Sequence, residues 1–161
     1  MPLSAYLHTV DLCVLFYCRA SGELKLLLNR RDAEPFAGHW ALPGVVVNGG
    51  VQDLSLQDAV ERLRTSDKVG LELAWSEQVG TVGDAFRDPR CWSSSTYYLA
   101  IVADEVQLGE HQGWFGLRAV ADGSIKLPFD HNSIVAAVQE RLFSKSLYSS
   151  LPLMFLGNEF S

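Results

Sequence analysis

The segment Leu26–Gly44, "LLLNRRDAEPFAGHWALPG", decides the fold, because it joins the end of a strand to a long irregular loop. The aliphatic run Leu24–Leu28 is typical of a strand. The turn "SGE" at Ser21–Glu23 connects it to an earlier β-rich run, Val10–Tyr17, so the two runs predict a hairpin. The loop that follows the hairpin contains two prolines and several glycines, which exclude regular structure until the next helix.

A helix is predicted over Ser55–Val69, "SLQDAVERLRTSDKV". Ser55 is a good N-cap, Asp58 stands three residues later as a short capping-box partner, and Gly70 closes the segment. The apolar positions recur at the spacing of one buried stripe: Leu56, Ala59, Val60 and Leu63.

The rest of the chain alternates short strands with a final helix. Strands are predicted around Leu73–Val82, Thr96–Val102 and Gly113–Leu117. A helix is predicted from about Asn132 to Ser144, with an apolar side made of Ile134, Val135, Val138 and Leu142. These elements predict an α+β fold in which a mixed sheet lies between helices, as one domain over residues 1–161.

Composition excludes several classes of function. With 161 residues, 48% of them hydrophobic and 20% charged, the chain is expected to bury the core of one globular domain. Thirteen basic against nineteen acidic residues give a net charge of -6, which opposes nucleic-acid binding by this chain alone.

Cysteine usage and the N-terminus predict a cytoplasmic protein. Cys13, Cys18 and Cys91 are too few and too scattered for a disulfide framework, and none has a metal-type spacing with histidine. No basic leader precedes the apolar run "VDLCVLFYC", and that run is too short to span a bilayer.

Four motifs in order carry a family resemblance. The pattern Gly38-x-Trp40-x-Leu42-Pro43-Gly44, leading into a glycine-rich turn and a helix, resembles the beginning of a Nudix domain. "GDAFRDPRCWSSSTYYLA" resembles the G-D-P-x-R-D-P-R segment of the branch that handles ADP-ribose, and "WFGL" and "LPFDHNSIVAAVQERL" resemble the closing segments of that branch. The similarity extends from about Thr9 to Phe160 and implies the Nudix fold.

The catalytic motif departs from the family. The Nudix box is glycine, five residues, glutamate, seven residues, then arginine-glutamate-aliphatic-x-glutamate-glutamate-x-glycine-aliphatic. Anchored on Gly70-Leu71, the box puts the early glutamate on Ser55, the arginine-glutamate pair on Leu63-Arg64 and the glutamate pair on Asp67-Lys68. Most positions that are acidic in the Nudix box are therefore occupied by non-acidic residues in this chain.

The second possible anchor gives the same result. Anchored on Arg62, the early glutamate becomes Leu54, the arginine-glutamate pair becomes Arg62-Leu63 and the glutamate pair becomes Ser66-Asp67. Under either anchor at most one carboxylate, that of Asp67, survives.

This loss predicts a protein without catalytic or metal-binding residues. Magnesium is held by oxygen ligands, mostly carboxylates and substrate phosphates, and one aspartate cannot replace that cluster. Arg64 or Lys68 on the same face would repel a divalent ion, by roughly 1 kcal/mol per pair at about 4 Å even in high dielectric. Such a cation pairs with a diphosphate instead. The sequence therefore predicts binding without hydrolysis and without a cofactor, and the resemblance implies ADP-ribose as the ligand.

The expected cleft lies between the Gly38–Gly50 loop, the Arg87–Arg90 loop and the Gly113–Leu117 segment. Arginines are expected on the diphosphate and aromatic side chains against the adenine. The candidate ligand-binding residues are Arg30, Arg31, Phe36, Trp40, Gly44, Arg87, Arg90, Trp114, Phe115, Phe129 and His131.

Several of these candidates have a structural alternative. The two arginines after the strand, Arg30 and Arg31, are equally typical of a solvated surface. Arg87 and Arg90 have salt bridges to Asp84 or Asp88 as the alternative. The remaining alternatives concern packing: Phe36 and Trp40 beneath the Pro43-Gly44 turn, Asp130 as a cap of the final helix, and His131 against that helix.

Within the family, the chain resembles the N-terminal domain of bacterial Nudix-related transcriptional regulators of NAD metabolism. That resemblance implies ADP-ribose as the signal, a homodimer, and operator DNA bound through a C-terminal winged-helix domain that this chain lacks. The apolar residues of "YSSLPLMFLGNEFS", Leu151, Leu153, Met154, Phe155, Leu156 and Phe160, either fold back on the domain or mark a fragment.

Three other functions stay open. One is an active ADP-ribose or nucleotide pyrophosphatase that uses Asp53, Glu61 and Asp67 as unorthodox ligands. Another is a dimerisation scaffold without a ligand. The third is a domain for a different nucleotide, such as NAD or a phosphorylated ribose.

Overall fold

A computed structural model of the chain describes residues 5–104 and 106–146. Its elements, in chain order, are β1 (Tyr6–Cys18), β2 (Glu23–Arg30), β3 (Trp40–Ala41), β4 (Gly44–Val46), α1 (Leu56–Arg64), β5 (Trp75–Asp84), β6 (Trp92–Ile101), β7 (Gln112–Gly116), α2 (Leu117–Ala121) and α3 (His131–Ser146). The predicted hairpin, the strands around it and both long helices are confirmed.

Strand β1 organises a seven-stranded mixed sheet whose main order is β3-β2-β1-β6-β5. One edge of β1 runs parallel to β6, and the other is shared: Leu15 lies opposite Leu26 of β2, and Thr9 lies opposite Val46 of β4. Because β2 and β4 pair with different halves of the same edge, they diverge and leave an opening beside β1. The candidate site lies in this opening.

The two faces of the sheet are covered by different helices, since side chains alternate along each strand. On one face, Leu12, Val14 and Phe16 pack against α1. On the other, Cys13 and Leu15 pack with the apolar residues of α2 and α3. The sheet therefore lies between helices, and the expected α+β class is confirmed.

Helix α1 is shorter than predicted and ends at Arg64 rather than Val69. The hydroxyls of Thr65 and Ser66 donate to main-chain carbonyls of the last turn, at 2.9 and 2.7 Å, which competes with continued helix. Gly70, with φ of +63°, then donates its N–H to Arg64 O at 2.9 Å and closes the turn. The prediction that Gly70 closes the segment holds, but the helix stops earlier.

The N-terminal cap of α1 is confirmed with one change. Ser55 Oγ accepts the N–H of Asp58 at 3.2 Å. The Asp58 carboxylate accepts the N–H of Leu54 at 2.9 Å rather than that of Ser55, so the reciprocal bond lies one residue earlier than in a capping box.

Strands β1 and β6 both begin earlier than predicted. Their N-terminal parts carry polar side chains that pair across the sheet: His8 bonds to the hydroxyls of Ser94 and Thr96, the latter at 3.1 Å. These pairs satisfy buried hydroxyls without an apolar run, so the pattern of apolar residues gave no sign of them. The short elements β3, β4 and α2 were not predicted.

Two further expectations concerned membrane spanning and the apolar C-terminal residues. No helix within residues 5–104 and 106–146 is long and apolar enough to cross a membrane. The expected apolar tail from Leu151 to Phe160 lies outside the described residues.

Candidate ligand-binding site

A cavity of about 420 Å³ fills the opening between β2, β4 and the start of β1. This volume is typical of a small-molecule site. Of the eleven candidate residues, the cavity is lined by Arg30, Arg31, Gly44, Arg87, Arg90, Phe129 and His131. The loops around Gly44 and Arg90 come together as predicted, whereas the Gly113–Leu117 segment contributes no lining residue.

The floor of the cavity is a buried Asp11–His131 pair. Asp11 is 4% exposed and accepts hydrogen bonds from the hydroxyls of Ser95 and Thr9. His131 Nε2 lies 3.8 Å from Asp11 Oδ1, while Nδ1 accepts the N–H of Leu42 at 3.1 Å. Burial lowers the pKa of His131, although the nearby Asp11 charge opposes this shift. A neutral imidazole with its proton on Nε2 satisfies both contacts.

Gly44 is required by the position of Asp11. A Cβ at Gly44 would lie 2.2 Å from Asp11 Oδ1, far inside van der Waals contact. The turn after Pro43 can therefore approach β1 only because residue 44 has no side chain. Gly44 shapes the cavity wall.

Arg87 is held inside the protein by Asp130. Its Nε and Nη2 donate to the two carboxylate oxygens of Asp130 at 3.0 and 2.8 Å, and Nη1 donates to Ser93 Oγ at 2.7 Å. The side chain is 3% exposed. The sequence alternative for Arg87, a salt bridge to Asp84 or Asp88, is wrong, since the partner is Asp130. Asp130 does stand directly before α3, and its carbonyl accepts the N–H of Ile134, but its carboxylate binds Arg87.

Arg90 is more available. Its side chain is 40% exposed, and its Nη2 pairs with Asp88 Oδ2 at 2.7 Å, which confirms the sequence alternative for this residue. Burial opposes the charged form of Asp88, yet the hydrogen bonds from Arg90 hold the Asp88 pKa below its usual range. Arg90 Nη1 makes no hydrogen bond to any residue that the structure describes, so one edge of the guanidinium can meet a ligand.

Arg31 is positioned by its neighbours and lies over an aromatic ring. Its Nε donates to Pro35 O at 2.8 Å, and its guanidinium carbon lies 5.1 Å from the centre of the Phe129 ring. Among residues 5–104 and 106–146, neither terminal nitrogen of Arg31 has a hydrogen-bond acceptor. Burial, and after it the charge of Arg90, lowers the pKa of Arg31. The terminal nitrogens of Arg31 are therefore available to an anion, although carboxylates such as Asp11 and Asp32 also line the cavity.

Phe36 and Phe129 form an aromatic contact beside Arg31. Their ring centroids are 5.0 Å apart at 80°, the edge-to-face geometry that aromatic pairs favour. Both residues have positive φ, 64° and 58°, which non-glycine residues rarely adopt. Phe129 lines the cavity, and Phe36 packs behind it.

The other aromatic candidates lie outside the cavity lining. Trp40 packs on Phe115 with centroids 5.1 Å apart, and Arg30 lies over Trp40 at 5.7 Å. Trp114 packs against Phe16 on the opposite face, at 4.8 Å. Packing accounts for the places of Trp40, Phe115 and Trp114, as the alternative for Trp40 anticipated.

Lys68 is a cavity residue that the candidate list omitted. Its Nζ donates to Gly44 O at 2.6 Å, although the residue as a whole is exposed. Asp11, Asn29 and Gln112 also line the cavity and were not predicted. Asp11 carried a usable signal, because a charged residue inside the apolar run "VDLCVLFYC" needs a buried partner.

The carboxylates of the pyrophosphatase alternative do not converge. Asp53 is 3% exposed, and its Oδ2 pairs with Arg62 at 2.7 Å. Glu61 pairs with Arg64 on the outside of α1. Within the described residues, no three His, Cys, Asp or Glu side chains form a group that could hold a metal ion. Asp67 does line the cavity, but Asp53 and Glu61 do not join it there.

The fold and the cleft beside β1, which both arginines and carboxylates line, are those of a Nudix-type domain. The structure matches that of the Nudix domain of Shewanella oneidensis NrtR complexed with ADP-ribose, with a TM-score of 0.75 and 32% identity over 87% of this chain and 90% of that chain. NrtR from the same organism in complex with a 27mer DNA gives a TM-score of 0.81 and 34% identity, over 92% of this chain and 68% of that chain.

A curated relative agrees with these matches. The ADPR-responsive transcriptional repressor NtrR of Acinetobacter baylyi is 32% identical over 155 residues, which span 93% of this chain and 60% of the repressor. No protein-family model matches the chain. The chain belongs to the NrtR family of Nudix-domain regulators.

Proposed function

We propose that this chain is the ADP-ribose-sensing domain of a transcriptional regulator of NAD metabolism, and that it binds the ligand without hydrolysing it. The observation that carries the proposal is the pair of arginines in the cavity, Arg31 and Arg90, each of which has at least one terminal guanidinium nitrogen without a described hydrogen-bond acceptor. The diphosphate of ADP-ribose matches these donors, because guanidinium groups bind phosphate oxygens through paired hydrogen bonds. The cavity volume of about 420 Å³ suits part of such a ligand.

The relatives support the same ligand and the same role. The Shewanella domain was solved with ADP-ribose, and the Acinetobacter repressor is named for its response to ADPR. Operator DNA contacts are assigned to a winged-helix domain outside this chain, since the chain spans 60% of the repressor and has a net charge of -6. A single Nudix-like domain over residues 1–161 and its assembly as a homodimer remain part of the proposal.

We expect no catalysis because the catalytic box is eroded. Leu63, which one anchor aligns with the arginine of the box and the other with the glutamate after it, is fully buried in the core. Asp53 and Glu61 are already paired with arginines. Hydrolysis of a diphosphate needs positioned water and charge neutralisation on the leaving group, and within the described part of the chain no three His, Cys, Asp or Glu side chains form a metal-binding group for either.

Titration calorimetry tests the proposal. ADP-ribose is expected to bind one site per chain, while AMP and ribose 5-phosphate, which each carry one half of the ligand, bind at least tenfold more weakly. NAD is titrated as well, because tighter binding of NAD than of ADP-ribose would favour the alternative of a domain for a different nucleotide. Equal affinity for AMP and ADP-ribose would contradict a site built around the diphosphate, and no heat with any of them would favour the scaffold.

A further inference from the structure

Lys68 is fixed at the mouth of the cavity by two strands. Its carbonyl oxygen accepts the side-chain N–H of Asn29 at 2.9 Å and that of Gln112 at 2.9 Å. These amide groups come from β2 and β7, so the main chain of Lys68 is attached directly to the sheet. A residue that follows a helix through an exposed turn is thereby held in place.

The side chain of Lys68 is directed into the cavity. Nζ donates one hydrogen bond to Gly44 O at 2.6 Å, and an ammonium group has three donors, so two remain. Burial, and after it the charge of Arg31, lowers the pKa of Lys68. The charge of Arg31 disfavours the ammonium form of Lys68, whereas the carboxylates of Asp11, Asp32 and Asp67 favour it. An anion bound between Lys68 and Arg31 would offset the repulsion between these two cations.

The groups around Lys68 do not fit a divalent cation. Asp88 pairs with Arg90, and Asp11 Oδ2 accepts hydrogen bonds from two hydroxyls. Asp32 also acts on Lys68, but no three His, Cys, Asp or Glu of the described residues form a group that could hold a metal ion. Asp67 is the remaining carboxylate of the box and directly precedes Lys68 in the sequence. A magnesium ion here would lack its carboxylates and would meet a fixed positive charge.

We propose that Lys68 takes the place of the divalent cation: its ammonium group, together with Arg31, neutralises the diphosphate of the ligand, so that binding needs no magnesium. The inference rests on the proposed function, because it takes ADP-ribose as the ligand. It adds that the site binds phosphate without a metal ion, through a lysine whose main chain is fixed by Asn29 and Gln112.

The test is calorimetry with ADP-ribose in EDTA and again in millimolar magnesium, on the wild-type chain and three variants. Lys68→Gln removes the charge, Lys68→Glu reverses it, and Lys126→Glu makes the same reversal at an exposed residue outside the cavity lining. The clamp from Asn29 and Gln112 uses the carbonyl of Lys68, so these substitutions keep it, and unfolding curves check that the fold is intact.

In EDTA, Lys68→Gln is expected to bind about 10- to 100-fold more weakly than wild type, and Lys126→Glu to bind like wild type. Magnesium leaves wild-type affinity unchanged and strengthens binding by Lys68→Glu. The inference is overturned if wild type needs magnesium, if Lys68→Gln keeps its affinity, or if magnesium fails to help Lys68→Glu. Failure of the wild-type chain to bind ADP-ribose under either condition would instead remove the proposed function.

Discussion

Arg87 binds Asp130 through both carboxylate oxygens, at 2.8 and 3.0 Å, and so ties the loop between β5 and β6 to the start of α3. The neighbouring Arg90 pairs with Asp88 on its own loop and keeps one edge exposed. Two arginines of the same motif therefore differ in setting: Arg87 is buried in the wall of the cleft, and Arg90 is partly exposed in its lining.

Arg87→Met is expected to lower the free energy of unfolding by about 2–4 kcal/mol, because it leaves the Asp130 carboxylate without its charged partner in a partly buried position. Urea denaturation measures the change. Arg90→Met is the matched control and should cost under about 1 kcal/mol, since its ion pair is partly exposed. Equal losses for the two variants would contradict the division of roles.

Arg90→Ala is expected to weaken ADP-ribose binding by about tenfold or more, because a guanidinium-phosphate contact is lost from the cleft. Calorimetry with the folded variant measures this. Arg118→Ala removes an exposed arginine outside the cavity lining and should bind like wild type. Unchanged affinity after Arg90→Ala would remove Arg90 from the ligand site.

Gly44→Ala is expected to destabilise the fold by about 1–3 kcal/mol, because its Cβ would lie 2.2 Å from Asp11 Oδ1. Gly49→Ala is the control, since a Cβ there meets nothing within 4 Å. Thermal unfolding of both variants separates the clash from the general effect of replacing glycine. Similar melting temperatures for the two would show that β4 can move away from Asp11 at little cost.

The buried His131 predicts a loss of stability in mild acid. Burial lowers its pKa in the folded state, so the unfolded chain takes up a proton at a higher pH than the folded chain does. The free energy of unfolding should therefore fall as pH drops below about 6.5, the ordinary histidine value. His8, whose pKa burial also lowers, contributes in the same direction.

His131→Gln tests the assignment of this pH dependence. The glutamine oxygen can accept the Leu42 N–H but does not titrate, so stability should fall less between pH 7 and pH 5 than in wild type. His39→Gln, at an exposed position, is the control and should keep the wild-type slope. A slope unchanged by His131→Gln would show that other groups produce the acid sensitivity.

The order of the elements followed from local patterns, but their ends did not. The hairpin, the cap at Ser55 and the apolar stripe of α3 each depend on residues close in sequence, which pattern and capping rules describe. The polar starts of β1 and β6 depend on His8 meeting Ser94 and Thr96, 86 and 88 residues away. Such partners are visible only once the strands are paired.

The candidate site was predictable to the extent that motifs marked it. Four residues selected by motif resemblance line one cavity: Arg31, Gly44, Arg90 and Phe129. It did not separate Arg87 from Arg90, because the partner of Arg87 lies 43 residues further along the chain. The two aromatic candidates from β7, Trp114 and Phe115, do not line the cavity. The pairing of β7 with β2 directs their side chains to the packed faces of the sheet, which the motif alone does not reveal.

The most direct test of the account is to incubate the chain with excess ADP-ribose and magnesium, and then to analyse the mixture by chromatography together with the calorimetric affinity. The account predicts saturable binding with every ligand molecule recovered intact. Magnesium-dependent appearance of AMP and ribose 5-phosphate in step with protein concentration would contradict it, since that result would make the cleft an active pyrophosphatase.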